Sequence, residues 1–121
     1  MRIFQFENRF QKNDLSKAKA EIGSMAWDAK ESKAWAMEHS INSPEHHYHM
    51  YEHHSAMALH HEKTGVSPWN LVDRETARKA TDNRLKLGDL HYEIADHLSG
   101  KSSSLSPAAS KYFESYSKQF R

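Results

Sequence analysis

The chain of 121 residues contains no cysteine. That removes disulfides, thiolate metal ligands and cysteine nucleophiles, and it fits a reducing, cytoplasmic setting. Long apolar runs are also missing. The mean hydropathy is −0.92, and no uninterrupted apolar stretch approaches the ~18 residues needed to span a bilayer, so no membrane partner is expected. The charges inside MRIFQFENRF argue against a secretion signal. An excess of one charge sign is absent as well, with 17 basic against 16 acidic residues and a formal net charge of +1. Nucleic-acid affinity rests mainly on neutralising phosphates, so this balance argues against such a partner. Finally, the chain has no G-x-S-x-G, no P-loop and no Rossmann glycine motif. No catalytic residue is assigned on these grounds, and binding is expected over catalysis. A small cysteine-free chain without motifs also fits a viral or mobile-element origin.

What the chain does hold is enough aromatic surface, 11% of residues, to argue against disorder. Its length suits one domain. With only 37% apolar residues, the buried stripes should be narrow, and burial completed by a second copy of the chain makes a homo-oligomer the expectation. Residues 1–12 read as an extended arm or short strand around IFQF, and 13–121 as a single helical domain.

Glycine and proline are few, and they punctuate cleanly. A first helix, capped by Asn13 or Ser16, should run to about Ser40, with Leu15, Ala18, Ile22, Met25, Ala29 and Ala36 at helical spacing. Ser43-Pro44 opens a second, because proline is pre-organised for the first helical position. It should end near Lys63, with Gly65 beyond it. Ser67-Pro68 offers a third start, at Pro68 or Asn70, for a helix to Leu98 closed by Gly100. Ser106-Pro107 opens a fourth, with Ala109, Tyr112, Phe113, Tyr116 and Phe120 on one side. The expectation is an all-α fold, a small bundle of about four helices.

The stretch EHHYHMYEHHSAMALHH, residues 45–61, holds seven of the ten histidines. At about 100° per residue, His46, His49, His53 and His60 form one wedge of the second helix. His47, His54 and His61 form another. His-Met-His-Met-His at positions 46, 50, 53, 57 and 60 follows the spacing of a packed seam. The pattern H-x-x-Φ-A-x-H recurs at His54–His60 and His91–His97, and nearly so at His47–His53. That echo suggests two helices with similar packing surfaces facing each other.

Three uses of these histidines compete. One is a purely structural seam, in a protein–protein module, where each neutral imidazole finds a donor and an acceptor. The second is a transition-metal site built on His46, His49 and His53, with methionine to suit Cu(I). Its supporting signatures are missing: there is no H-E-x-x-H and no E-x-x-H, so no metal cofactor is assigned. The third, and the preferred one, follows from Arg84 and His91, which fall inside the apolar stripe of the third helix (Ala77, Ala80, Leu87, Ile94, Leu98). A buried guanidinium keeps its charge and needs an anion. If this stripe packs on the His53/His60 face, the result is a donor-rich, acid-poor cluster. It would capture an anionic small molecule, such as a nucleotide, between the second and third helices. Arg84 would pair with the anion, and His53, His60 and His91 would donate to it. Trp69, or Tyr48 or Tyr92, would stack on a base.

Overall fold

The computed structural model describes residues 12–65 and 72–120. These form four helices: α1 (Lys12–Ala36), α2 (Pro44–Gly65), α3 (Arg74–Leu98) and α4 (Pro107–Lys118). The fold is all-α, and the described residues contain no strand. The expected N-terminal arm falls on residues outside those described, apart from Lys12, which already belongs to α1. The Ser67-Pro68 start and Trp69 also lie outside the described residues.

The helix ends show local chemistry at work. At α4, Pro107 occupies the first turn and the Ser106 hydroxyl accepts from the Ala109 amide at 3.1 Å. Glu93 of α3 grips this N-terminus, accepting from Ser106 N at 2.6 Å and from its hydroxyl at 3.1 Å. Gly100 ends α3 with φ of 87°. Its amide donates to His97 O, and the Lys101 amide donates to Asp96 O. That pair of bonds is the Schellman arrangement, which needs a left-handed residue where glycine stands.

Three ends depart from the sequence expectation. α1 stops at Ala36 rather than Ser40, because the amides of Glu38 and His39 turn back to the third residue before them, tightening the last turn. Ser43 does not cap α2 with its side chain; its hydroxyl donates to Ser40 O at 2.7 Å. The third helix, expected from Pro68 or Asn70, starts at Arg74, where Asp73 accepts from the Thr76 amide at 3.0 Å.

α2 is the central helix. It packs on α1 along one side and on α3 along the other, and α4 packs against α3. Among the described residues α1 makes no close backbone approach to α3 or α4, so three helices form a layer and α4 lies across one end of it. The buried apolar residues are mostly alanines: Ala29, Ala36, Ala58, Ala77, Ala95 and Ala109, with Met50, Ile94 and Tyr116. The largest fully buried side chains are Ile94, His46, His47 and His91. Alanine brings the helices close, and imidazole fills the space between them. No helix among the described residues is long and apolar enough to cross a membrane.

Candidate functional site

The histidines of α2 form two ladders. On the α1 side, Nδ1 of His46, His53 and His60 lies 2.6, 2.6 and 3.1 Å from the backbone oxygens of Ala36, Ala29 and Ile22. The step is seven residues forward on α2 and seven back on α1, as in an antiparallel heptad seam. A carbonyl oxygen can only accept, so each Nδ1 carries the proton and donates. The buried small residues Ala29, Ser32 and Ala36 let the imidazoles reach the backbone of the neighbouring helix. For His46 the other nitrogen is also taken, with the Tyr116 hydroxyl donating to Nε2 at 2.6 Å.

On the α3 side, His47 meets His91 and His54 meets Arg84, again at steps of seven in opposite directions. His47 Nε2 donates to Ile41 O at 2.6 Å. Its Nδ1 therefore accepts, at 2.9 Å, from His91 Nδ1. His91 Nε2 then accepts from the Tyr112 hydroxyl at 2.8 Å. The direction of every bond from Tyr112 through His91 and His47 to Ile41 follows from that one carbonyl. His54 Nδ1 accepts from Arg84 Nη1 at 3.1 Å. The rings of His47 and His54 stack on His91, with centroids 5.1 and 5.4 Å away. No buried polar side-chain atom among the described residues lacks a partner.

Burial holds the imidazoles of His46, His47, His53, His54 and His91 neutral. It lowers His46, His47 and His91, the last further depressed by His47 and His54. It takes His54 down to about 3, with His53, Arg84 and Lys33 adding their repulsion. His53 is lowered too, by burial first and then by Arg84 and Lys33. The Tyr112 phenol is pushed up to about 12 by burial. The Tyr112–His91–His47 line resembles a proton relay, but phenol and imidazole are shifted in opposite directions. The proton stays on Tyr112, and the chain ends at a carbonyl that cannot take one. Its work is to hold α4 onto α2 and α3.

A cleft of about 220 Å³ opens beside the ladders. Lys33 and Met37 line it from α1 and the turn after it, and Met50, His53 and His54 from α2. Arg84 of α3 and Tyr112, Tyr116, Gln119 and Phe120 at the α4 end complete it. The lining holds two permanent cations and no carboxylate. Arg84 is half-buried, and no described carboxylate lies within salt-bridge distance of its guanidinium.

The expected site residues separate in this structure. Arg84 and His53 share the cleft. His91 sits behind it, against the lining residues His54, Tyr112 and Tyr116, and is not itself part of the lining. His60 bonds to α1 outside the cleft lining, and Trp69 lies outside the described residues. Arg84 and His91 meet the His47/His54 wedge rather than the His53/His60 face, because α2 is buried on both sides and its other wedge is taken by α1. Tyr48 and Tyr92 do not line the cleft; they meet edge to face at 5.6 Å, and Tyr48 donates to Asp96 at 2.7 Å. The metal candidates also part. His46 has both ring nitrogens occupied, His53 gives Nδ1 to Ala29, and His49 pairs with Glu52 at 3.1 Å. Among the described residues no group of three histidine, aspartate or glutamate side chains is disposed to hold a metal ion.

Lys33, Met37, His54 and the α4 residues were not anticipated as site residues. The H-x-x-Φ-A-x-H echo carried a signal for His54, since its first histidines, His54 and His91, stack on one another. Nothing comparable marked α4, whose aromatic side reads simply as core. The chain matches no protein-family model, no curated protein and no solved structure.

Proposed function

We propose that this protein captures a small anionic molecule in the Arg84 cleft, without transforming it. The observation that carries the reading is the cleft's charge: a half-buried guanidinium and a lysine, with no acid in the lining. Arg84 spends one N–H on the neutral His54. A guanidinium offers five in a planar fork suited to carboxylate or phosphate. His54 orients it, while the charges of Arg84 and Lys33, which already depress His53 and His54, would be offset by a bound anion. Catalysis is not proposed, because the titratable groups nearest the cleft are locked in the ladders.

Thermal shift against a panel of anions tests this. A ligand at a hundredfold excess over its Kd stabilises the native state by about 2.7 kcal/mol, a rise of several degrees for a domain near this size. At least one carboxylate or phosphate compound should raise the Tm beyond a chloride control of matched ionic strength. Arg84→Gln should lose the response and Arg74→Ala should keep it. If no anion shifts the wild type, the reading fails.

A second reading, self-association, is favoured by Trp27, Trp35 and Leu85, which are 60%, 46% and 50% exposed. Multi-angle light scattering distinguishes a dimer from a monomer, and exposed surface of this kind supports the former.

A further inference from the structure

The cleft's occupant can be narrowed beyond "small anion", and this step rests on the anion reading above. Three features set its class. The first is charge. Arg84 and Lys33 contribute two positive charges, but the cleft also sits where two helices end. Lys33 and Met37 flank the C-terminus of α1, and Tyr116, Gln119 and Phe120 flank that of α4. Each helix C-terminus presents about half a negative charge. The net field is therefore nearer one positive charge than two, which suits a monoanion better than a phosphate dianion. Among the described residues no helix N-terminus, the usual phosphate holder, lines the cleft.

The second feature is size. A dry cavity of about 150 Å³ takes a benzene ring, and this cleft measures about 220 Å³. A ring and one carboxylate fit within it, whereas base, sugar and phosphate together would leave much of a nucleotide outside the cleft. The third is the apolar part of the lining. Met37, Met50, Tyr116 and Phe120 supply thioether and aromatic surface there. Sulfur and ring edges favour an aromatic partner, and Phe120 is still 43% exposed with room to gain by burial.

We infer that the cleft takes an aromatic monocarboxylate, with its carboxylate on Arg84 and Lys33 and its ring between Met50 and Phe120. Nucleotides and inorganic phosphate are the disfavoured classes.

Isothermal titration of the full chain at pH 7.5 with phenylacetate, acetate, inorganic phosphate and AMP tests the assignment. Phenylacetate should bind at least tenfold more tightly than each of the other three. Lys33→Gln and Arg84→Gln should each weaken it several-fold, and Phe120→Ala should weaken phenylacetate while leaving acetate unchanged. Phe120 and Lys33 are exposed, so their variants stay informative even if Arg84→Gln unfolds the protein. Phosphate or AMP binding as well as phenylacetate would overturn the class while leaving the anion reading standing. Phenylacetate binding that none of these substitutions alters would place the ligand elsewhere and overturn the assignment. Failure of phenylacetate to bind at millimolar concentration would overturn the assignment, and the wider anion panel above then decides whether the anion reading stands.

Discussion

His91 is the side chain on which most of the polar core depends. Its two nitrogens bridge His47 and Tyr112, and its ring stacks on His54. A buried group left without its partner costs roughly 1–3 kcal/mol, and removing a large buried side chain adds a cavity cost. His91→Ala leaves a hole and strands both the His47 lone pair and the Tyr112 hydroxyl. The expected loss is about 3–5 kcal/mol by urea unfolding, on the scale of the largest core truncations. Tyr112→Phe keeps the ring and strands only His91 Nε2, so about 1–2 kcal/mol is expected. Equal losses for the two variants would mean that the bond from Tyr112 carries the network and that the packing of the imidazole and its bond to His47 add nothing.

Between elements, the controlling quantity is how closely the helices approach, and two glycines report on it in opposite ways. Gly65, at the end of α2, abuts Ala77 of α3 so closely that a Cβ there would overlap the Ala77 Cβ. Gly23 in α1 is exposed, with nothing within 4 Å of an added Cβ. Alanine is favoured over glycine inside a helix by about 0.5–1 kcal/mol. Gly23→Ala should therefore raise the Tm by a few degrees. Gly65→Ala should lower stability by about 1–3 kcal/mol, because the overlap forces α2 and α3 apart. Thermal melts of the pair check both signs. A neutral Gly65→Ala would show that the α2–α3 seam gives without cost.

The whole molecule should be acid-labile. An unfolded histidine titrates near ~6.5. Burial lowers the folded values of His46, His47 and His91, and that of His54 to about 3. Below pH ~6.5 the unfolded chain therefore binds more protons than the folded one, and stability falls with pH. The stabilisation from neutral burial is complete above that value and drains away as pH drops towards the folded values. At pH 5 His47, His54 and His91 have each given up about 2 kcal/mol, so these three remove about 6. That is comparable to the entire stability of a typical domain, about 5–15 kcal/mol. Circular dichroism should show the Tm falling steeply from pH 7 to pH 5 and the helices lost close to pH 4.5. A Tm unchanged across that window would mean the imidazoles are solvated or already charged.

The helices themselves were legible in the chain because their causes are local. The 3.6-residue period, Ser106-Pro107 and Gly100 act within a few residues of where they stand, and the start of α2, α4 and the end of α3 fall where those signals put them, whereas Gly65, expected beyond α2, is its last described residue. The division of the α2 histidines into two wedges was legible for the same reason. Which neighbour each wedge meets was not. A helical wheel fixes the angle between His53 and His54 but says nothing of the helices beyond them. Because α2 is central, both wedges pack against a neighbouring helix. Only the packed structure assigns His46, His53 and His60 to the carbonyls of α1, and His47 and His54 to His91 and Arg84. The cleft is likewise a tertiary product. Lys33, His54, Arg84 and Phe120 are far apart in sequence, and their meeting depends on α4 lying across one end of the layer. Tyr116 on His46 and Tyr112 on His91 fix that position, and neither bond can be read from periodicity.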